Sequence, residues 1–410
     1  MGSLERRAKW WVLGLICLSN FGSYYVYDAI ASVVDLLHRQ LGFAYADIGA
    51  LNAVYSLPNV FIALLGGIWA DRSGPARVSV WTAAICCVGT ALTAVGQHLW
   101  LMVLGRFLFG VGGETLFVAL LTGVGRWFVG PKLGLAMAIF FSIARLGSYF
   151  ADLSPQLFGG LYQQWQPPLI LSAIVAGVSL LAALGYAALD RHQAIQTPGV
   201  RTPMRLINPN KYVWGLLSLA MLFYAIVFPF RSTFAIEYFQ GAKGLSLQAA
   251  GITNSWVFFA AIFASPVFGW LSDRTAHKTA LLTVGMVSLA ASFYILVATH
   301  WPLWVSTVLV GLSYSLVPAV IWPAVSESVP ERNLGATLGL MTVLQNIGMA
   351  AVNFIAGSLN DHAHAGRENP AGYAPMMWLF ATLSLLGAMI GAGLWQRTSS
   401  GTEIKSSDGS

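Results

Sequence analysis

Gly67-Ile-Trp-Ala-Asp71-Arg72-Ser-Gly74 returns about half a chain later as Gly269-Trp-Leu-Ser-Asp273-Arg274. Each copy follows an apolar stretch long enough to cross a bilayer, and each carries the same acid–base pair at the turn. A membrane chain built as two similar halves, with one charged turn repeated at matching positions, reads as a secondary transporter.

Composition supports that reading. Of 410 residues, 57% are hydrophobic and only 9% are charged, against roughly 25% charged in ordinary soluble domains. So few charges cannot cover the surface of a soluble protein of this size, but they suffice for loops between spans. The formal charge of +6 is spread between apolar runs rather than gathered on one face, so nucleic acid is not an expected partner. Cys17, Cys86 and Cys87 all fall within apolar runs, with no ligand spacing among them. Neither a metal site nor a disulfide framework is expected, and no cofactor is.

A span needs about 20 mostly apolar residues. Twelve such runs fall near residues 10–31, 47–70, 78–97, 100–125, 133–155 and 169–189, then 211–236, 247–270, 279–298, 302–326, 335–358 and 375–396. The expected architecture is all-α: twelve transmembrane helices in two six-helix halves, residues 1–190 and 211–396. A polar linker over 191–210 joins them, and a disordered tail occupies 397–410. The basic start, with Arg6, Arg7 and Lys9, leads into a run too long for a signal peptide, so it reads as a retained first helix.

Lysine and arginine set the orientation. With the N-terminus in the cytoplasm, sixteen of the 22 basic residues lie inside. Arg39, Lys243 and Arg367 lie outside, and Arg106, Arg145 and Arg231 fall within spans. Both termini are then cytoplasmic.

Ionisable groups within the bilayer are costly and normally face a cavity or a partner. In Gly110-Val-Gly112-Gly113-Glu114 of the fourth span, Glu114 is deep and follows three small residues. In the fifth span Arg145, Tyr149 and Asp152 follow i, i+4, i+7 and share one helix face. The charge partners expected for Arg145 are Glu114 and Asp152. Either Glu114 and Arg145 form a structural ion pair, or they are opposite poles of a site that takes the ammonium and carboxylate of a zwitterion.

Polar stripes in other spans point to a wet central cavity. They comprise Asn20, Tyr24, Tyr27 and Asp28; Asn52, Tyr55, Ser56 and Asn59; Gln345, Asn346 and Asn353; and Tyr224, Phe228 and Arg231. Asp28 and Glu237, near helix ends, read as solvated rim charges. Trp322 stands between Pro318 and Pro323, which would break the tenth helix and open its backbone to the cavity. The expected substrate contacts are therefore Glu114, Arg145, Tyr24, Tyr55, Tyr149, Asn59, Arg231, Trp322 and Asn346. Asp71, Arg72, Asp273 and Arg274 are the expected conformational latch.

Gly-x-x-x-Asp-Arg after the second span is typical of the major facilitator superfamily. Tyr24-Tyr-Val-Tyr-Asp28, Tyr55-Ser-Leu-Pro58-Asn59, the segment from Gly105 to Thr115, Ala144-Arg145-Leu-Gly147-Ser148, Phe228-Pro-Phe230, Ser265-Pro-Val-Phe-Gly269, Trp322-Pro323 and Leu344-Gln-Asn346-Ile-Gly348 resemble the lysosomal dipeptide-transporter family within it. The resemblance implies a dipeptide uniporter in which the acid matching Glu114 and the arginine matching Arg145 bind the two peptide ends. One chain of twelve helices is sufficient for alternating access in the bilayer, so a monomer is expected. The absence of an Asn-x-Ser/Thr sequon and the short tails read as a prokaryotic relative in a bacterial inner membrane. Arg231 stands where an apolar residue is expected. The competing reading is a proton-coupled symporter or antiporter of another small organic solute, with Glu114 carrying the proton. No catalytic constellation supports an enzyme.

Overall fold

The computed structural model describes residues 3–59, 62, 69, 73–128, 133–190, 209–275 and 277–399, and among these there are helices and turns but no strand. The first span, Ser3–Asp28, runs on through a 3-10 turn, Ala29–Val33, into a short helix, Val34–Leu41. Gly42, in the left-handed region at φ 70°, ends that helix by donating its amide to His38. The second span opens with Tyr45–Ser56. Then follow Pro75–Val95, Leu99–Trp127, Leu133–Leu157 and Gln166–Asp190. The other half comprises Lys211–Pro229, continued by Phe230–Phe234 and Ala235–Gly241, then Leu247–Arg274, Lys278–Ala298, Leu303–Glu327, Glu331–His362 and Ala374–Ser399. Among the described residues, ten helices are long and apolar enough to cross a membrane. With the more charged first helix and the partly described second, the fold is an all-α membrane protein of twelve helices.

Local chemistry explains the breaks that matter. Asn210 caps the seventh span by accepting from the Val213 amide at 2.9 Å. Within the same span Pro229 removes a backbone donor, and the next five residues, Phe230–Phe234, widen into a π turn. Arg231 sits in that turn. The tenth span departs from expectation, because Leu303–Glu327 runs as one helix through Pro318 and Pro323. Each proline withholds only one amide, and neighbouring helices hold the path.

Helices in lipid associate through close packing and polar contacts rather than through exclusion of water. Where the second span meets the eleventh, Gly49 lies against the Asn353 carbonyl and Gly357 against that of Tyr45. Where the fifth meets the eighth, Gly251 lies against the Asp152 carbonyl. A Cβ at any of the three would overlap the facing backbone. These contacts join the two halves, and they all lie toward the face opposite the chain termini, here called the distal face.

Candidate functional site

The halves are clasped along the distal side by buried polar groups. Asp361 of the eleventh span accepts the Tyr45 and Ala46 amides of the second at 2.7 and 2.6 Å. Glu237 accepts the hydroxyls of Tyr45 and Tyr373 at 2.9 and 2.5 Å. Asn52 donates to Thr233 at 2.6 Å and to the Ser232 carbonyl at 3.3 Å, and it accepts from Arg106. Arg231 pairs with Asp28 at 2.8 Å, and Asn254 donates to Asp152 at 2.9 Å.

Two expectations are corrected here. Asp28 is 1% exposed and Glu237 3% exposed, so neither is a solvated rim charge. Each is held across the seam between halves, where a partner on the other side replaces water. The extension of the first span beyond Asp28 buries what hydropathy places at a helix end. Arg231 is likewise sealed, with its guanidinium over the rings of Phe228, Phe258 and Tyr314 at 4.4, 4.7 and 5.0 Å. It is part of the clasp.

Below the clasp, toward mid-membrane, the side chains are only half-buried. Glu114, Tyr24, Arg145, Tyr149, Tyr224, Phe228 and Trp322 are all partly exposed although they belong to spans of both halves. Glu114 Oε1 accepts from the buried Tyr55 hydroxyl at 3.4 Å, and Oε2 has no hydrogen-bond partner among the described residues. The Glu114 carboxylate lies within electrostatic range of Tyr24 and Tyr224, and Arg145 within range of Tyr224.

Arg145 makes an ion pair with neither Glu114 nor Asp152 among the described residues, contrary to expectation. Its Nη1 crosses instead to the eighth span, donating to the Ala261 carbonyl at 3.0 Å and to Ser265 Oγ, while its Cζ lies 5.5 Å from the Tyr314 ring centroid. Reach explains the outcome: the fifth span packs along the eighth, so a backbone carbonyl and a hydroxyl are closer than either acid. The Nε–Nη2 edge has no partner among the described residues, and that edge is the fork that receives a carboxylate in two parallel bonds.

An aromatic chain links the halves. Tyr55 meets Tyr27 with centroids 4.7 Å apart, Tyr27 meets Phe228 at 6.1 Å, and Phe228 stacks on Tyr224 at 5.5 Å. Tyr224 then accepts from Trp322 Nε1 at 3.2 Å. Tyr24 packs edge-on against Phe117 at 6.3 Å, and Tyr149 against Phe150 at 5.7 Å. Asn59 and Asn346 are buried, donate to the Tyr55 and Thr342 carbonyls, and leave Oδ1 without a partner among the described residues. Of the expected contacts, Glu114 accepts from Tyr55 and lies within electrostatic range of Tyr24 and Tyr224, Arg145 lies within range of the same Tyr224, to which Trp322 donates, Tyr149 shares a helix face with Arg145, and Asn59, Asn346 and Arg231 are buried.

Asp71 and Arg72 of the expected latch lie outside the described residues. Asp273 and Arg274 are exposed, and Arg274 lies over Trp270 of its own helix at 4.5 Å. Sequence alone gives Tyr45, Tyr373 and Asp361 no role, and Ser265 and Tyr314 stand only in stretches of family resemblance. Ordinary polar or aromatic residues gain a role only through a neighbour far along the chain, and periodicity does not name that neighbour.

Comparison with known proteins gives the family. The family model described as Major Facilitator Superfamily matches residues 16–252 and 230–409. The lysosomal dipeptide transporter MFSD1 of Bos taurus is 33% identical over 373 residues, covering 85% of this chain and 79% of that protein. Among solved structures, a nucleoside transporter NupG mutant superposes with a TM-score of 0.77 at 15% identity, covering 93% of this chain and 99% of its own. An inward-facing, unoccupied bacterial homologue of the lysosomal transporter Spinster gives 0.74 at 15% identity, with 97% and 99% covered. The chain belongs to the Major Facilitator Superfamily, within the family that contains the lysosomal dipeptide transporter MFSD1.

Proposed function

We propose that this integral membrane protein carries small zwitterionic solutes, dipeptides foremost, as a uniporter working by alternating access. One observation carries the reading: Glu114 and Arg145 are both half-buried and within electrostatic range of Tyr224, they do not pair with each other, and among the described residues each keeps a free oxygen or nitrogen edge. A buried ion pair alone seldom adds net stability, whereas two separated and unneutralised charges cost the protein free energy. A solute with an ammonium and a carboxylate relieves both. Glu114 takes the ammonium, the Nε–Nη2 edge of Arg145 takes the carboxylate, and the rings from Tyr55 to Trp322 accept varied side chains. The 33% identity to a lysosomal dipeptide transporter supports the same substrate class.

The halves, residues 1–190 and 211–396, rock about this site, joined by 191–210. The Asp273-Arg274 turn and its undescribed counterpart at Asp71-Arg72 latch the face that bears the termini. The excess of lysine and arginine on that face places it in the cytoplasm, in our reading of a bacterial inner membrane. One chain carries the whole pathway, so a monomer suffices.

Flux of labelled dipeptide into proteoliposomes tests this reading. Uniport requires uptake down the dipeptide gradient with no imposed proton gradient, and its loss in Glu114→Gln. Uptake that needs a proton gradient supports the other reading, a proton-coupled carrier with Glu114 as the proton site.

A further inference from the structure

Asp152 lies at the seam between halves and takes no part in the solute site. It is 1% exposed. Among the described residues its Oδ2 accepts one hydrogen bond, from Asn254 of the opposite half, and its Oδ1 has no partner. The same Asn254 amide also donates to the Arg231 carbonyl at 2.9 Å, which fixes Asn254 between the fifth and seventh spans.

The charged and titratable groups around it come from several elements. The first span brings Asp28, a like charge, and the seventh brings Arg231. Tyr162 faces it from the 3-10 turn after the fifth span. Arg145, on the same helix, turns to Ser265. Arg106 of the fourth span donates to Asn52 and faces Asp28. Arg231, the nearest cation, is already in contact with Asp28 at 2.8 Å. Ionised Asp152 in this arrangement is a buried carboxylate with a neighbouring anion, one amide hydrogen bond and no counter-ion of its own. That arrangement is unfavourable, and the Nε and Nη2 of Arg231, without a hydrogen-bond partner among the described residues, do not reach it.

We infer that Asp152 is a proton-binding site, loaded from the distal face as the clasp closes and emptied as it opens. Closure presses Gly251 of the eighth span onto the Asp152 carbonyl and seals the side chain against Asn254, so the proton replaces lost water. Opening parts the fifth span from the eighth and the first from the seventh. Water then reaches Asp152, and its proton leaves. No electron moves and no covalent bond beyond O–H forms or breaks. Acid on the distal side therefore favours the clasped state, whichever solute is carried.

The experiment uses spin labels on Gln164→Cys and Glu368→Cys, exposed positions on distal loops of the two halves, in a background with Cys17, Cys86 and Cys87 replaced by alanine. Their separation in nanodiscs is followed by pulsed electron resonance as pH rises, without solute. One linked proton makes the clasped-to-open ratio fall by about tenfold per pH unit above the midpoint. Asp152→Asn should stay clasped at every pH, and Glu114→Gln should titrate like the parent. Asp152→Ser, a second uncharged replacement, should likewise lose the pH dependence, and it serves if Asp152→Asn does not fold. A separation indifferent to pH, a transition that survives Asp152→Asn, or one abolished by Glu114→Gln overturns the inference. The last outcome would instead favour Glu114 as proton carrier, so the solute site and the proton site are judged separately.

Discussion

Arg145 donates to Ser265 in the opposite half of the molecule rather than to Glu114 in its own. The consequence is a guanidinium held from one side and open on the other. Nη1 is engaged by Ser265 and the Ala261 carbonyl, which leaves the remaining fork without a partner among the described residues. Arg145 thereby bridges the two halves, and under the proposed function a bound carboxylate would act on a side chain that already touches both.

The first prediction concerns that fork. Arg145→Lys keeps the charge but loses the planar pair of donors. A charge-assisted hydrogen bond is worth roughly 1.5–3 kcal/mol, so dipeptide affinity should fall about tenfold or more by calorimetry. Ser265→Ala should weaken binding only a few-fold, through lost aim.

Tyr55→Phe tests the support of Glu114. The variant removes one hydroxyl donor at 3.4 Å and nothing else of the ring stack. An ordinary net hydrogen bond contributes about 0.5–1.5 kcal/mol, so affinity should drop about two- to tenfold, with the fold and expression unchanged.

The Asp28–Arg231 pair gives a stability prediction. Removing one partner strands the other charge in the seam, at a cost of about 3–5 kcal/mol. Asp28→Ala should therefore lower the thermal midpoint clearly, whereas the double change Asp28→Leu with Arg231→Met should recover much of it. A double variant whose loss equals the sum of the two single losses would show that the pair is not coupled.

Gly49→Val or Gly357→Val should disable the distal clasp, because each Cβ would meet a facing backbone carbonyl that no side-chain rotation can move. Both variants should bias the carrier toward the distally open state, read as a longer distance across the distal loops. An unchanged distance would mean that the second and eleventh spans close less tightly than their glycines imply.

Much of this was legible in the sequence, and the limits have a physical origin. Hydropathy and the repeated Asp-Arg turn carry the twelve spans and two halves, because a bilayer demands long apolar helices. The cost of charge in lipid singles out Glu114 and Arg145. Helical periodicity, however, tells which face a residue is on and not which helix faces it. Asp28 reads as a rim charge, yet its partner Arg231 lies 203 positions away. Arg145 is matched on paper with acids near it in sequence, while the seam between the fifth and eighth spans offers Ser265. Pro318 and Pro323 mark a break that tertiary packing suppresses.

The most direct test of the central claim is thermal unfolding of the purified protein against dipeptides, free amino acids, tripeptides, sugars and organic anions. A ligand that binds only the folded state raises the midpoint by mass action. The account predicts stabilisation by dipeptides that disappears in both Glu114→Gln and Arg145→Ala. Stabilisation confined to another class, or dipeptide stabilisation that survives both changes, would contradict it.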